Sequence, residues 1–246
     1  MLSTDSKLLQ AQAMMAGKAS KIPETKRMII KLGPKPAYDP VQSQLMCPIC
    51  DKPTNNRDPH DYSKPAPCNI LCAKKQAWFN ICPPLFRETN VFKLPNPRAY
   101  EEVMAWKYGP EGLLLVGASR LGKSRSAYCL LYRLFEAGKI IRVFGGGEFE
   151  DQYGKATYNG NGISWLKSVA TADIIYFDDL GKGVLTERAD SGLWRLVNLR
   201  AEQMLPIIIT TNSNGSNMLD ITSTNRGESL VARLREFCQI IDFGNK

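Results

Sequence analysis

Residues 117–124 read GASRLGKS, the pattern G-x-x-x-x-G-K-S. An apolar run, GLLLVG at 112–117, leads in, and an amphipathic stretch, SRSAYCLLYRLFEAG at 124–138, leads out. Strand, glycine-bounded loop and helix in this order make a phosphate-binding loop, and the chemistry dictates each residue type. Glycine lets successive backbone N–H groups turn inward and bond phosphate oxygens. Lys123 is placed to reach the β- and γ-phosphates of a nucleoside triphosphate, and Ser124 to bind magnesium (Mg²⁺) through its hydroxyl. The following helix aims its positive end at the phosphates. Gly117, Ala118, Ser119, Arg120, Leu121, Gly122, Lys123 and Ser124 are therefore the predicted nucleotide-binding residues.

Hydrolysis of a triphosphate needs a second strand that ends in an acid, and ADIIYFDDLG at 172–181 supplies it. Asp178 is the predicted metal-coordinating acid, and Asp179 the group that polarises the attacking water. A third element is IIITTN at 207–212, where the Asn212 amide lies just past a strand end, suited to position that water. Asparagine is also common in turns and helix caps, so Asn212 gains its meaning from the other two.

Further outward the same rhythm holds. The runs GLLLVG (112–117), IIRVFGG (140–146), IIYFDD (174–179), IIITTN (207–212) and CQIIDF (238–243) have the length and branched composition of strands buried on both faces. Between the first two, Ala127, Leu130, Leu131, Leu134 and Phe135 recur at helical spacing, and Gly138 follows as a stop. Leu193, Trp194, Val197, Ala201 and Met204 make a second such face. Strands alternating with helices predict an α/β fold with a five-stranded parallel sheet.

The bulk composition, 43% hydrophobic and 23% charged, is that of a globular protein. No run of eighteen apolar residues is present and the first residues do not resemble a secretory signal, so a cytoplasmic protein without a membrane partner is expected. A net charge of +8 suits polyanions such as nucleic acid, although many cytosolic proteins are mildly basic for no special reason. Residues 1–44 read as a flexible basic arm, 45–82 as a small zinc-binding module, 83–99 as a proline-rich connector and 100–246 as the ATPase core.

The zinc reading rests on cysteine arithmetic. Cys47 and Cys50 are spaced C-x2-C, and Cys68 and Cys72 follow at C-x3-C. Two pairs of thiolates can close a tetrahedral shell around zinc (Zn²⁺), and a segment this short needs such a staple to fold. Cys82 and His60 are the alternatives that could replace one of the four. Cys129 and Cys238 fall in apolar patterns and read as core residues.

In this order and spacing the elements resemble the AAA+ ATPases, and more narrowly the DnaC/IstB-like group of helicase loaders and transposition ATPases. The narrower resemblance rests on ICPPLFRETN at 81–90, FDDLGK at 177–182, NLRAEQMLPIIITTN at 198–212 and ESLVARLREF at 228–237. It implies a P-loop AAA+ core that ends after its last strand without a C-terminal helical lid. It also implies that Arg233 is an arginine finger acting on ATP held by a neighbouring subunit, with Arg226 and Arg235 as rivals. The segment GGGEFEDQYGKATYNGNGISWLK at 145–167 is where this group is expected to meet single-stranded DNA. Phe149, Tyr153, Tyr158 and Trp165 beside Lys155 and Lys167 suit base stacking, or equally anchor a glycine-rich loop to the core.

The resemblance thus implies an ATPase of DNA replication, using ATP, Mg²⁺ and Zn²⁺. It would assemble with itself on ATP or DNA, bind single-stranded DNA and load a hexameric replicative helicase. Two alternatives stand beside it: an IstB-like transposition ATPase on duplex DNA, and a nucleotide-sensing zinc adaptor with little turnover.

Overall fold

The five apolar runs become five parallel strands: β1 Gly112–Val116, β2 Ile141–Gly145, β3 Ile174–Asp178, β4 Ile207–Thr210 and β5 Cys238–Asp242. The computed structural model describes residues 45–181, 185–212 and 227–244. The arm at 1–44, Arg226 and Lys246 lie outside the described residues. The strand order is β2-β3-β4-β1-β5, with β1 inserted between β4 and β5. Leu115 pairs with Thr210, Phe177 with Ile209 and Val116 with Asp242. This order makes β3, β4 and β1 adjacent, so the loops after all three open onto one edge of the sheet.

The helices are α1 Ile70–Ile81, α2 Pro84–Arg87, α3 Pro97–Ala105, α4 Lys123–Glu136, α5 Glu148–Tyr158, α6 Gly162–Ala170, α7 Glu187–Glu202 and α8 Gly227–Phe237, with a 3-10 turn at Val91–Lys93. They cover the sheet on two sides, and the strand pleat sorts the core between them. Leu113, Leu115, Ile174, Tyr176 and Ile208 face α1, α3 and α4. Leu114, Ile175, Phe177, Ile207 and Ile209 face α5 to α8. Side chains alternate across a strand, so an uninterrupted apolar run is what two covered faces require. The prediction of burial on both faces holds for β1, β3 and β4. The edge strands depart from it: β2 exposes Arg142, and β5 exposes Gln239 and Ile240. An edge strand has a neighbour on one side only, so less packs over it.

Helix α4 buries Ala127, Leu130, Leu131 and Leu134, as its periodicity predicts. At its end Gly138 adopts φ +82, donating to the Phe135 carbonyl while Lys139 N–H reaches Leu134. That pair of bonds closes the helix, and the left-handed turn favours glycine.

Helix α7 corrects the predicted face. Leu193 and Val197 are buried, with Leu196 and Arg200 beside them, whereas Trp194 is 37% and Met204 64% exposed. The buried stripe lies one position round from the apolar pattern because a buried arginine completes it. The Arg200 guanidinium donates to the carbonyls of Ala170, Ala172, Asp173 and Pro206. It thereby ties the end of α6 and the start of β3 to the entry of β4. Burial pulls its pKa down to about 10, with Tyr108 and Asp173 opposing. Arg200→Met is expected to leave buried carbonyls without donors and to cost about 3 kcal/mol. For a chain of this size that lowers the melting temperature by about 10 °C, read by circular dichroism. A melting point within about 2 °C of wild type would contradict this role.

The segment at 145–167 is not a glycine-rich loop but the helix pair α5 and α6. Phe149 and Tyr153 are buried, and Trp165 packs against the same core. Phe149 stacks on Tyr153 with centroids 5.8 Å apart. Gly192 admits the Tyr153 ring so closely that a Cβ there would sit 2.4 Å from it. These aromatics anchor the segment; of the four, Tyr158 alone is largely exposed, at 88%.

Candidate functional site

The phosphate-binding loop leaves β1 with Gly117 at φ +133 and enters α4 through Gly122 at φ +93, conformations that strain any residue bearing a Cβ. A Cβ on Gly117 would also lie 3.2 Å from the backbone nitrogen of Gly244. Arg120 in the same loop takes φ +66. Positive-φ turns of this kind let successive N–H groups of a loop face a bound anion.

Lys123 is buried at the first position of α4. Its ammonium donates to the carbonyls of Gly117 and Ala118, both at 2.7 Å, and to Asn212 Oδ1 at 2.9 Å. Burial lowers its pKa, while Asp179 and then Asp178 pull the other way. Ser124 Oγ donates to Asp178 Oδ1 at 2.7 Å, which brings together the two groups assigned to magnesium. Asn212 Nδ2 donates to Asp179 Oδ1 at 2.6 Å, which brings together the two groups assigned to the attacking water. Residues from the ends of β1, β3 and β4 thus converge, as their adjacency in the sheet requires.

Two residues escaped the sequence reading. Tyr176 donates to Asp178 Oδ1 at 2.8 Å, and Thr210 Oγ1 lies 2.9 Å from the same oxygen. Thr210 also accepts the Asp179 N–H at 2.8 Å. Tyr176 is fully buried; that burial, with Asp178 beside it, pushes its phenol well above the usual value and keeps it a donor. The signal was present in the strand period, since Tyr176 stands two residues before Asp178 on the same face. Asp179 itself takes φ +61, a left-handed conformation at the turn out of β3. Such an outlier persists where the surroundings hold it, here Thr210 and Asn212.

Lys123, Ser124, Asp178, Asp179, Thr210 and Asn212 line a cavity of about 780 Å³ to which the connector adds Leu85, Phe86, Asn90, Lys93, Leu94 and Pro95. The volume falls in the range of small-molecule sites. Lys123, Arg120 and Arg125 offer cationic groups that suit a triphosphate, and Leu85, Phe86, Leu94 and Pro95 offer apolar surface that suits a base, with the polar Glu88, Asn90 and Lys93 among them. No periodicity marks the connector as part of a site, so its role emerges only from packing. Arg233 does not line this cavity. It sits exposed on α8, paired to Glu236 at 2.9 Å.

The sulfurs of Cys47, Cys50, Cys68 and Cys72 all lie within 4.8 Å of one another. Cys50 and Cys68 are 3.6 Å apart, and Cys68 and Cys72 3.7 Å. Tetrahedral zinc with Zn–S bonds of about 2.3 Å separates its sulfurs by about 3.8 Å, so the donor set fits that ion. Burial raises the Cys72 thiol to about 12. At Cys47 burial also opposes ionisation, but N–H groups of Ile49, Cys68 and Cys50 outweigh it and lower the thiol to about 6. Cys82 and His60 stand apart from the group: Cys82 is buried at the end of α1 beside the Pro83 carbonyl, and His60 is exposed.

Among solved structures the chain is similar to replication initiator DnaA bound to AMPPCP and single-stranded DNA (TM-score 0.53, 14% identity, 65% of this chain and 50% of that one). It is also similar to the DnaC helicase loader (TM-score 0.51, 20% identity, 68% of this chain and 98% of that one). Domain III of the Thermotoga maritima replication initiation protein DnaA gives a TM-score of 0.52 at 15% identity, over 62% of this chain and 64% of that one. The chain spans about half the length of the first of these. No family model and no curated protein matches. The chain shares its fold with these replication proteins, a parallel α/β sheet covered by helices on both sides. Among the described residues no helix is long and apolar enough to cross a membrane.

Proposed function

We propose that this chain is an ATPase of DNA replication that binds ATP with Mg²⁺, assembles with copies of itself and loads a hexameric replicative helicase onto single-stranded DNA. The observation that carries the reading is the convergence of Lys123, the Ser124–Asp178 pair and the Asp179–Asn212 pair at one sheet edge. Its fold likeness to a helicase loader supports the biological role.

In this reading the loop from Gly117 to Gly122 cradles the phosphates, and Lys123 turns from backbone carbonyls toward the β- and γ-phosphates. Ser124 and Asp178 would hold Mg²⁺, which would supply positive charge against that building on the phosphate oxygens. Tyr176 and Thr210 hold the Asp178 carboxylate in its orientation. Asp179 accepts a proton from the attacking water, and Asn212 fixes the Asp179 side chain and the water between them. Arg233, absent from its own chain's cavity, supplies charge to the cavity of a neighbour. Cys47, Cys50, Cys68 and Cys72 would hold zinc, which would staple the segment before α1. The segment at 145–167 would meet single-stranded DNA with its exposed Tyr158, Lys155 and Lys167.

The test is capture of partners from native lysate on the full chain with ATP and magnesium present. A co-purifying hexameric helicase, and hydrolysis stimulated by it or by single-stranded DNA, is expected. ATP-dependent filaments on duplex DNA without helicase would replace this role with that of a transposition ATPase. Binding of ATP without turnover, even with DNA and lysate partners added, would replace it with a nucleotide-sensing adaptor.

A further inference from the structure

We propose that the cysteine centre is a positioning element of the nucleotide site: it fixes α1, and α1 fixes Phe86, the aromatic wall of the cavity. The proposal rests on the zinc reading above and extends it from folding a module to shaping the cavity.

The path is continuous. Cys68 and Cys72 bracket the start of α1, whose first turn is capped by Asn69 accepting from the Cys72 N–H at 2.9 Å. Two turns on, Trp78 is 6% exposed and packs on α4, the helix that follows the phosphate loop. Its ring centroid lies 5.1 Å from that of Tyr132 and 5.5 Å from that of Phe135. Lys74 adds an ion pair to Glu136 at 2.8 Å.

The last turn of α1 is then joined to α2 by one side chain. Arg87 Nη2 donates to the Phe79 carbonyl at 2.9 Å and Nε to the Cys82 carbonyl at 3.0 Å, with the guanidinium 4.1 Å from the Phe79 ring centroid. Its neighbour Phe86 stacks on Tyr128 of α4, centroids 4.8 Å apart and planes 14° from parallel, and lines the same cavity as the phosphate loop. Helix α2 is a single turn without a side-chain cap, so its placement depends on these outside contacts. Free the start of α1 and Phe86 loses the support that reaches it through Arg87, keeping only its stack on Tyr128, while the glycine loop and Lys123 keep theirs from β1 and α4. Loss of the metal should therefore weaken the hold on the base and spare the hold on the phosphates.

The test measures zinc in the full chain by mass spectrometry. It then titrates ATP and inorganic tripolyphosphate by calorimetry in excess magnesium, before and after a zinc-selective chelator. ATP affinity should fall about tenfold, the scale of one displaced aromatic contact, and tripolyphosphate affinity should change less than about twofold. Adding zinc back should restore the first value. Arg87→Met, with its zinc content intact, should show the same selective loss. Unchanged ATP affinity after zinc removal, an equal loss for tripolyphosphate, or an Arg87→Met protein that binds ATP like wild type would each overturn the proposal. A chain that carries no zinc overturns both this and the zinc reading; a zinc-bearing chain indifferent to chelation overturns this one alone.

Discussion

Lys123→Ala is expected to weaken ATP·Mg²⁺ binding about a hundredfold or more, equal to about 2.8 kcal/mol, and to reduce hydrolysis to background. The ammonium is buried and already makes three short bonds, so its charge is fixed in place rather than solvated. A charged donor held in a partly dry site contributes roughly twice what a neutral one does. Water can satisfy the loop carbonyls that Lys123 leaves, but it brings no positive charge to the phosphates. The change should leave the sheet intact, since the ammonium's three partners lie in the phosphate loop and just past the end of β4. Calorimetry and phosphate-release assays read the two effects, and circular dichroism checks the fold. Near-wild-type ATP affinity in the folded variant would remove Lys123 from the site.

Arg233→Ala is expected to lower hydrolysis about a thousandfold while leaving ATP affinity near wild type, the lower end of what an arginine finger contributes. Two observations set this split. Arg233 does not line its own cavity, and its pairing with Glu236 is exposed on both sides, which makes that pair weak and easily exchanged. A guanidinium so placed is available to a neighbouring subunit. Mixing the Arg233→Ala and Lys123→Ala proteins should restore part of the turnover, because an intact cavity on one chain then meets an intact finger on another. Undiminished hydrolysis by Arg233→Ala alone would end its role, and Arg235, also on α8, would be tested next.

What the sequence disclosed and what it withheld follow from range. The phosphate loop, Asp178 and Asn212 each sit at the end of an apolar run, and a strand end is legible from local pattern alone. The adjacency of β3, β4 and β1 turns those strand ends into a site. The cysteine pairs were legible for the same reason: short spacings constrain geometry strongly. Contacts between distant segments were not. Phe86 reads as part of a proline-rich connector until α4 is packed beneath it. Arg200 reads as a polar interruption until four carbonyls converge on it, and so the α7 face was drawn one position off. The aromatics of α5 and α6 fit a stacking surface or an anchor equally well, because composition carries no direction. Burial of Phe149 and Tyr153 supplies it.

The central claim is that one sheet edge holds a triphosphate with its metal. Isothermal titration of the folded full chain with ATP tests it most directly, in magnesium and again with magnesium withheld. A saturable heat at one site per chain is predicted, strongest with magnesium and absent from Lys123→Ala. Folded protein that evolves no heat with ATP and magnesium would contradict the account.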